Sequence, residues 1–262
     1  MPSLLVDRAL ETSYITTGVE SAGRETSSVR DRLAAADVGT SDFALISTPE
    51  VTLLIETHVV DPSFGVTVAE SGAIALRTPI RPDEIEEASI LLYETSSTAE
   101  LLARATIWPY YGIKASAWTS DPDGTSAITI VDGLAALEPI EAGFSEDLVR
   151  AWYILTEQSV VTHVLAIPRD ASDEDVEGVR SQLSDAAAAG YSARREVRRA
   201  LQAESSVEGD RLVEFLRGIR YDLESDDRTA AYSLIARGSG GTRYPLIREI
   251  PWWQPAGESS PS

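Results

Sequence analysis

Residues 91–102 read LLYETSSTAELL. The apolar run from Ser89 to Tyr93 has strand character, and the leucines beyond Ala99 have helix spacing. A strand running into a helix is the unit of α/β architecture. Such junctions often hold phosphates, and those that do usually carry glycine. Here Thr95, Ser96, Ser97 and Thr98 stand in that place. Ser96 or Ser97 can cap the helix, with Glu100 near the capping-box position. Equally, the unpaired N–H groups and the positive end of the helix dipole can hold a small anion, with the hydroxyls as further donors. The dipole alone favours a carboxylate there by about 0.3–1 kcal/mol.

The same alternation extends to either side. SLLVDRAL and SYITTGV are β-prone runs, and SSVRDRLAAADVG has the pattern of a helix begun by Ser27 or Ser28 and ended by Gly39. DFALIST is a buried strand, and FGVTVAES and GAIALRT are β runs separated by Ser71 and Gly72. SAWTS, SAITIVDG and VVTHVLAIP follow as strands, with a helix at SEDLVRAWYILTEQ that Ser145 can cap. After Pro168 the chain turns helical, with Ser172 as N-cap of SDEDVEGV and Gly238 as the stop of the last helix. The fold class is α/β. Crossing points between two lobes are expected at residues 77–84 and 162–168. Lobe one is then 1–80 with 165–250, lobe two is 81–164, and 251–262 forms a flexible tail in which Trp252 and Trp253 can pack back.

Composition excludes whole classes of function. The formal net charge is −20 and the pI about 4.4, which argues against nucleic-acid and anionic-membrane partners. A small anionic ligand stays possible, because a few local donors suffice to hold it. No run approaches the roughly 20 apolar residues of a membrane span. Asp7 and Arg8 interrupt the first apolar run, so no secretion signal is read and a cytoplasmic chain is expected. There is no cysteine and no asparagine, and Lys114 is the only lysine. The two histidines, His58 and His163, lack metal-ligand spacing, so neither a metal nor an organic cofactor is expected. The phosphate-loop, nucleophile-elbow and zinc-protease patterns are absent, and GSGG at 238–241 follows a helix rather than a strand.

Polar residues at the C-terminal tips of predicted strands remain, where open α/β sheets collect ligands. Ser47 and Thr48 end DFALIST, Thr95 to Thr98 follow SILLY, and Asp132 ends AITIVD.

The order of SDFALISTPEVTLL, ESGAIALRTPIRPDEIEEASILLYETSSTAELLARAT, AITIVDGLAAL, VVTHVLAIPRD and LVEFLRGIRYDL resembles the menaquinone-biosynthesis family of chorismate dehydratase and its futalosine-pathway relative. The resemblance implies a two-lobed fold like the type-two periplasmic binding proteins, with mixed sheets flanked by helices and a ligand cleft between the lobes. It implies a chorismate-like carboxylate as ligand and, if the chain is active, a cofactor-free carbon–oxygen lyase. It makes Ser47, Thr48, Ser71, Thr95, Ser96, Ser97 and Thr98 ligand-binding residues and Asp132 a candidate proton acceptor. Two departures stand out. The family asparagine near the N-terminus has no counterpart, and the family serine falls on Ala73 unless Ser71 replaces it. A solute-binding protein that keeps the cleft and lacks the chemistry is the alternative.

Overall fold

The first strand, β1 (Leu4–Arg8), lies between two parallel neighbours, and the helix α1 (Ser13–Ala22) returns the chain to β2 (Ser27–Asp31). The computed structural model describes residues 2–122 and 126–255. The chain continues through β3 (Phe43–Ser47), β4 (His58–Val68), β5 (Ile74–Thr78) and β6 (Glu87–Leu91) to α2 (Ser97–Tyr111). Next come β7 (Lys114–Thr119), β8 (Ile128–Asp132), α3 (Leu134–Leu137), β9 (Phe144–Asp147) and α4 (Leu148–Thr156). The last third holds β10 (Val160–Pro168), α5 (Asp173–Ser192), α6 (Arg194–Ala203), α7 (Gly209–Arg217), β11 (Ile219–Asp222) and α8 (Ser225–Gly238).

Two mixed sheets result. One runs β11-β4-β10-β3-β1-β2 and the other β7-β6-β8-β5-β9. All nine residues of β10 are buried, because antiparallel partners flank it on both edges and helices cover its faces. Its apolar run, interrupted only by Thr162 and His163, is the pattern expected of a central strand. The chain passes to the second sheet through residues 69–73 and returns through 157–159. Both passages lie N-terminal to the boundaries expected at 80/81 and 164/165. The segment expected as the first crossing point, residues 77–84, ends in a short 3-10 turn, Pro82–Glu84, which links β5 to β6 within the second sheet.

Two local expectations are corrected. SYITTGV forms α1 rather than a strand. Ile15 and Val19, four apart, face the core, and α1 packs backbone to backbone against α5. A methyl group at Gly18 would overlap the Ala186 carbonyl, and one at Gly190 would overlap that of Tyr14. SSVRDRLAAADVG forms no α-helix. Its first part is the edge strand β2, Arg32 takes a left-handed conformation, and Ala35–Asp37 make one 3-10 turn. Carboxylates hold that turn in place. Asp7 accepts from Leu33 N–H, Asp37 from Ala34 N–H and Glu50 from Ala35 N–H. These contacts outweigh the helical pattern of the segment.

The first part of the expected flexible tail is docked. Val60 donates its N–H to the Pro251 carbonyl, and Trp253 returns an N–H to the Val60 carbonyl. The Arg180 guanidinium stacks 4.8 Å above the Trp253 ring and holds the buried Asp61 at 2.6 Å. Residues 256–262 of that tail lie outside the described residues.

Candidate functional site

A cleft of about 720 Å³ opens between the sheets. The first sheet supplies the tips of β1 and β2 and the Thr162–His163 step of β10, together with the β1–α1 loop and one face of α1. The second supplies Ile74, Glu94, Ser96, Thr98, Asp132, Gly133 and Leu134. A third wall is α6, whose Val197, Ala200 and Leu201 fall on one helical face in line with its C-cap, Glu204.

The floor on the first side is a chain of buried polar groups. Asp7 Oδ2 lies 3.3 Å from His163 Nε2, and the other histidine nitrogen lies 3.0 Å from the Thr162 hydroxyl. Glu11 is 6% exposed in the adjacent loop. Burial pushes its carboxyl above the usual range, and nearby Asp132 and Asp7 add to that, while His163 opposes it. The Tyr221 hydroxyl donates to the Glu11 carbonyl, and burial raises that phenol too.

On the second side, Asp132 ends β8 and accepts the Ser96 N–H at 2.6 Å. Burial raises its carboxyl as well, with the Ser96 hydrogen bonds pulling in the opposite direction. Ser96 is the N-cap of α2, its hydroxyl accepting from Ala99 N–H at 3.1 Å. Thr98 donates to the Thr162 carbonyl at 3.0 Å, so the Ser47 hydroxyl, 2.8 Å away, donates to Thr98. This chain ties α2 of one sheet to β3 and β10 of the other.

Of the residues read from the sequence, Ser96, Thr98 and Asp132 therefore line the cleft. Ser47 and Thr48 are buried behind it, Thr48 donating to the Val161 carbonyl. Ser71 donates to Asp147, which caps α4, and takes no part in the cleft lining. Thr95 and Ser97 line a separate pocket on the other side of α2. The extended backbone at Ser96 alternates the side chains, sending Ser96 and Thr98 one way and Thr95 and Ser97 the other. Ala73 is fully buried just before β5, where its carbonyl accepts from Gly133 N–H. It offers the cleft no side-chain donor.

Asp7, Glu11, Arg8, Arg32 and His163 were not among the expected site residues. Asp7 had a signal, since it stands near the C-terminal end of a strand. Glu11 and His163 had none, because a loop and an antiparallel strand bring them in from distant positions. The lining holds seven carboxyl groups (Asp7, Glu11, Glu20, Asp31, Glu94, Asp132 and Glu204) against the guanidinium groups of Arg8 and Arg32. Arg8 is held by Glu20 and Asp31, and Arg32 donates to the Glu94 carbonyl across the cleft mouth. An anionic ligand would need some of these acids neutral, which is the state that burial favours for Glu11, whereas the Ser96 hydrogen bonds favour Asp132 as a carboxylate. Among the described residues no three acidic or histidine side chains are grouped to hold a metal ion, and no helix is long and apolar enough to cross a membrane.

Known structures share this architecture at low identity. The alkanesulfonate-binding protein from Xanthomonas axonopodis pv. citri, bound to MOPS, is 12% identical with a TM-score of 0.66, over 97% of this chain and 98% of that one. The periplasmic aliphatic sulphonate binding protein from Escherichia coli is 14% identical with a TM-score of 0.61, over 100% and 94%. A protein from Archaeoglobus fulgidus is 12% identical with a TM-score of 0.66, over 90% and 96%. The fold is that of the type-two periplasmic binding proteins. No curated protein matches the chain. A family model described as menaquinone biosynthesis matches residues 28–239, and the chain belongs to that family.

Proposed function

We propose that the protein binds a small carboxylate, chorismate-like in structure, in the cleft between the sheets and eliminates water from it. The observation that carries this proposal is the pair of carboxyl groups, buried Glu11 and half-buried Asp132, in one cleft beside the Asp7–His163 pair. Buried, shifted carboxyls in a cleft are what proton transfer at neutral pH requires. Asp132, ionised, takes the proton from the carbon that becomes unsaturated. Glu11, protonated, gives its proton to the departing hydroxyl. One C–H and one C–O bond break, a carbon–carbon double bond forms, and water leaves. Arg32 and the α2 terminus lie where they can meet the ligand carboxylate. A cytoplasmic location is part of this reading.

Ala73 supports a second function, solute binding without chemistry, because it removes the hydroxyl the family resemblance would put there. Incubating the purified chain with chorismate separates the two. A fall in chorismate absorbance with accumulation of an enolpyruvyl benzoate supports the lyase. A raised melting temperature with no product at high protein concentration supports the binding protein. Neither response would overturn both.

A further inference from the structure

We propose that the pocket on the far side of α2 is a second ligand site, for a small tetrahedral oxyanion such as phosphate or sulfate. It encloses about 320 Å³ between the first turn of α2, the end of β7 and the Arg243–Tyr244 segment. Its lining carries two guanidinium groups (Arg104 and Arg243) and one carboxylate, Glu100, with Glu50 paired to Arg243 from outside the lining, whereas acids outnumber guanidiniums in the cleft. This occurs in a chain of net charge −20.

Both guanidiniums are held in place. Arg104 stacks 4.2 Å from the centre of the Trp118 ring, and Arg243 lies 4.9 Å from that of Tyr244. Glu100 engages Nε and Nη2 of Arg104, and Glu50 engages Nη2 of Arg243. Nη1 of each has no partner among the described residues. Stacked, pre-oriented guanidiniums lose little freedom when they bind an oxyanion.

The second observation is independent of charge. Ser97 lines this pocket, and its hydroxyl oxygen is buried without a hydrogen-bond partner. A buried polar group left unpaired is destabilising and calls for an occupant that pairs with it. Ser97 is also the first residue of a fifteen-residue helix, so the dipole favours negative charge beside it. Thr95, Thr119 and Ser120 add hydroxyls around the same space.

Calorimetric titration of the full chain with sodium phosphate at low salt tests the proposal. The expected result is one saturable site, with sulfate competing. Ser97→Ala and Arg243→Gln should each weaken it about tenfold, the value of one charge-assisted hydrogen bond. Ser97→Ala leaves every observed hydrogen bond intact, so it reports on binding even if Arg243→Gln disturbs the Glu50 contact. Arg32→Gln, at the cleft mouth, should bind phosphate as the wild type does. Absence of saturable binding, unchanged affinity in Ser97→Ala, or loss of binding in Arg32→Gln would overturn the assignment.

Discussion

The two sides of the first turn of α2 differ in charge and in how their hydroxyls are paired. Toward the cleft, Ser96 and Thr98 have their hydrogen bonds filled by the protein itself, beside a set of acids. Toward the back pocket, Ser97 has none, beside two arginines. One run of four hydroxyls thus serves two environments, because an extended residue precedes the helix and alternates the side chains. A hydroxyl cluster at a strand–helix junction specifies donors. The surrounding sheet, assembled from distant segments, decides what each donor meets.

The largest effect that could break this contrast is chemical. If the acidic side is the reactive one, Glu11→Gln should lower turnover of a chorismate-like acid by about 10²–10⁴-fold, the usual contribution of a positioned acid or base. Steady-state rates measure it, and a rate within a few-fold of wild type would move the acid role elsewhere. Phosphate binding at the back pocket should be unaffected by the same substitution.

Next in size is the frame that carries the acidic wall. Gly190 touches the Tyr14 carbonyl, so Gly190→Ala must separate α5 from α1. Overpacking of this kind costs about 1–3 kcal/mol, read as a lower urea midpoint with unchanged slope. Thr98→Val should cost about 1–3 kcal/mol, because it leaves the Ser47 hydroxyl and the Thr162 carbonyl buried without their partner. An unchanged midpoint for Thr98→Val would mean that the tie between the sheets does not hold them together.

The elements that were legible in the sequence were those whose own residues dictate them. β3, β8 and β10 announce themselves as apolar runs, and Ser172 caps α5 as its sequence suggests. α1 was not legible, because YITTGV is rich in β-branched residues and the helix depends on Gly18 meeting a carbonyl 168 positions later, at Ala186. The cleft was half legible for the same reason. Ser96, Thr98 and Asp132 sit at strand tips, where pattern alone points. Glu11 sits in a loop, and His163 lies mid-strand, opposite Ser47 in the antiparallel register. Only the assembled first sheet places them together.

A smaller effect concerns pH. Burial raises the Glu11 carboxyl above its ordinary 4.5. A group raised on folding lends stability that is fully present below its unfolded value and lost as pH rises through the folded one. Wild type should therefore lose melting temperature relative to Glu11→Gln as pH climbs from 4.5 towards 8. A constant difference across that range would place Glu11 in contact with water or with a cation.

The smallest effect separates two adjacent serines. Ser96→Ala removes the cap on Ala99 N–H and should cost about 1 kcal/mol. Ser97→Ala removes a hydroxyl that bonds to nothing, so in phosphate-free buffer its stability should equal or slightly exceed that of wild type. Adding phosphate should then raise the melting temperature of wild type more than that of Ser97→Ala. The same chemical change, made one residue apart, thereby distinguishes a side chain that maintains the fold from one that awaits a ligand. Equal losses from the two substitutions, with or without phosphate, would make both serines caps and dissolve the distinction between the two sides of the helix.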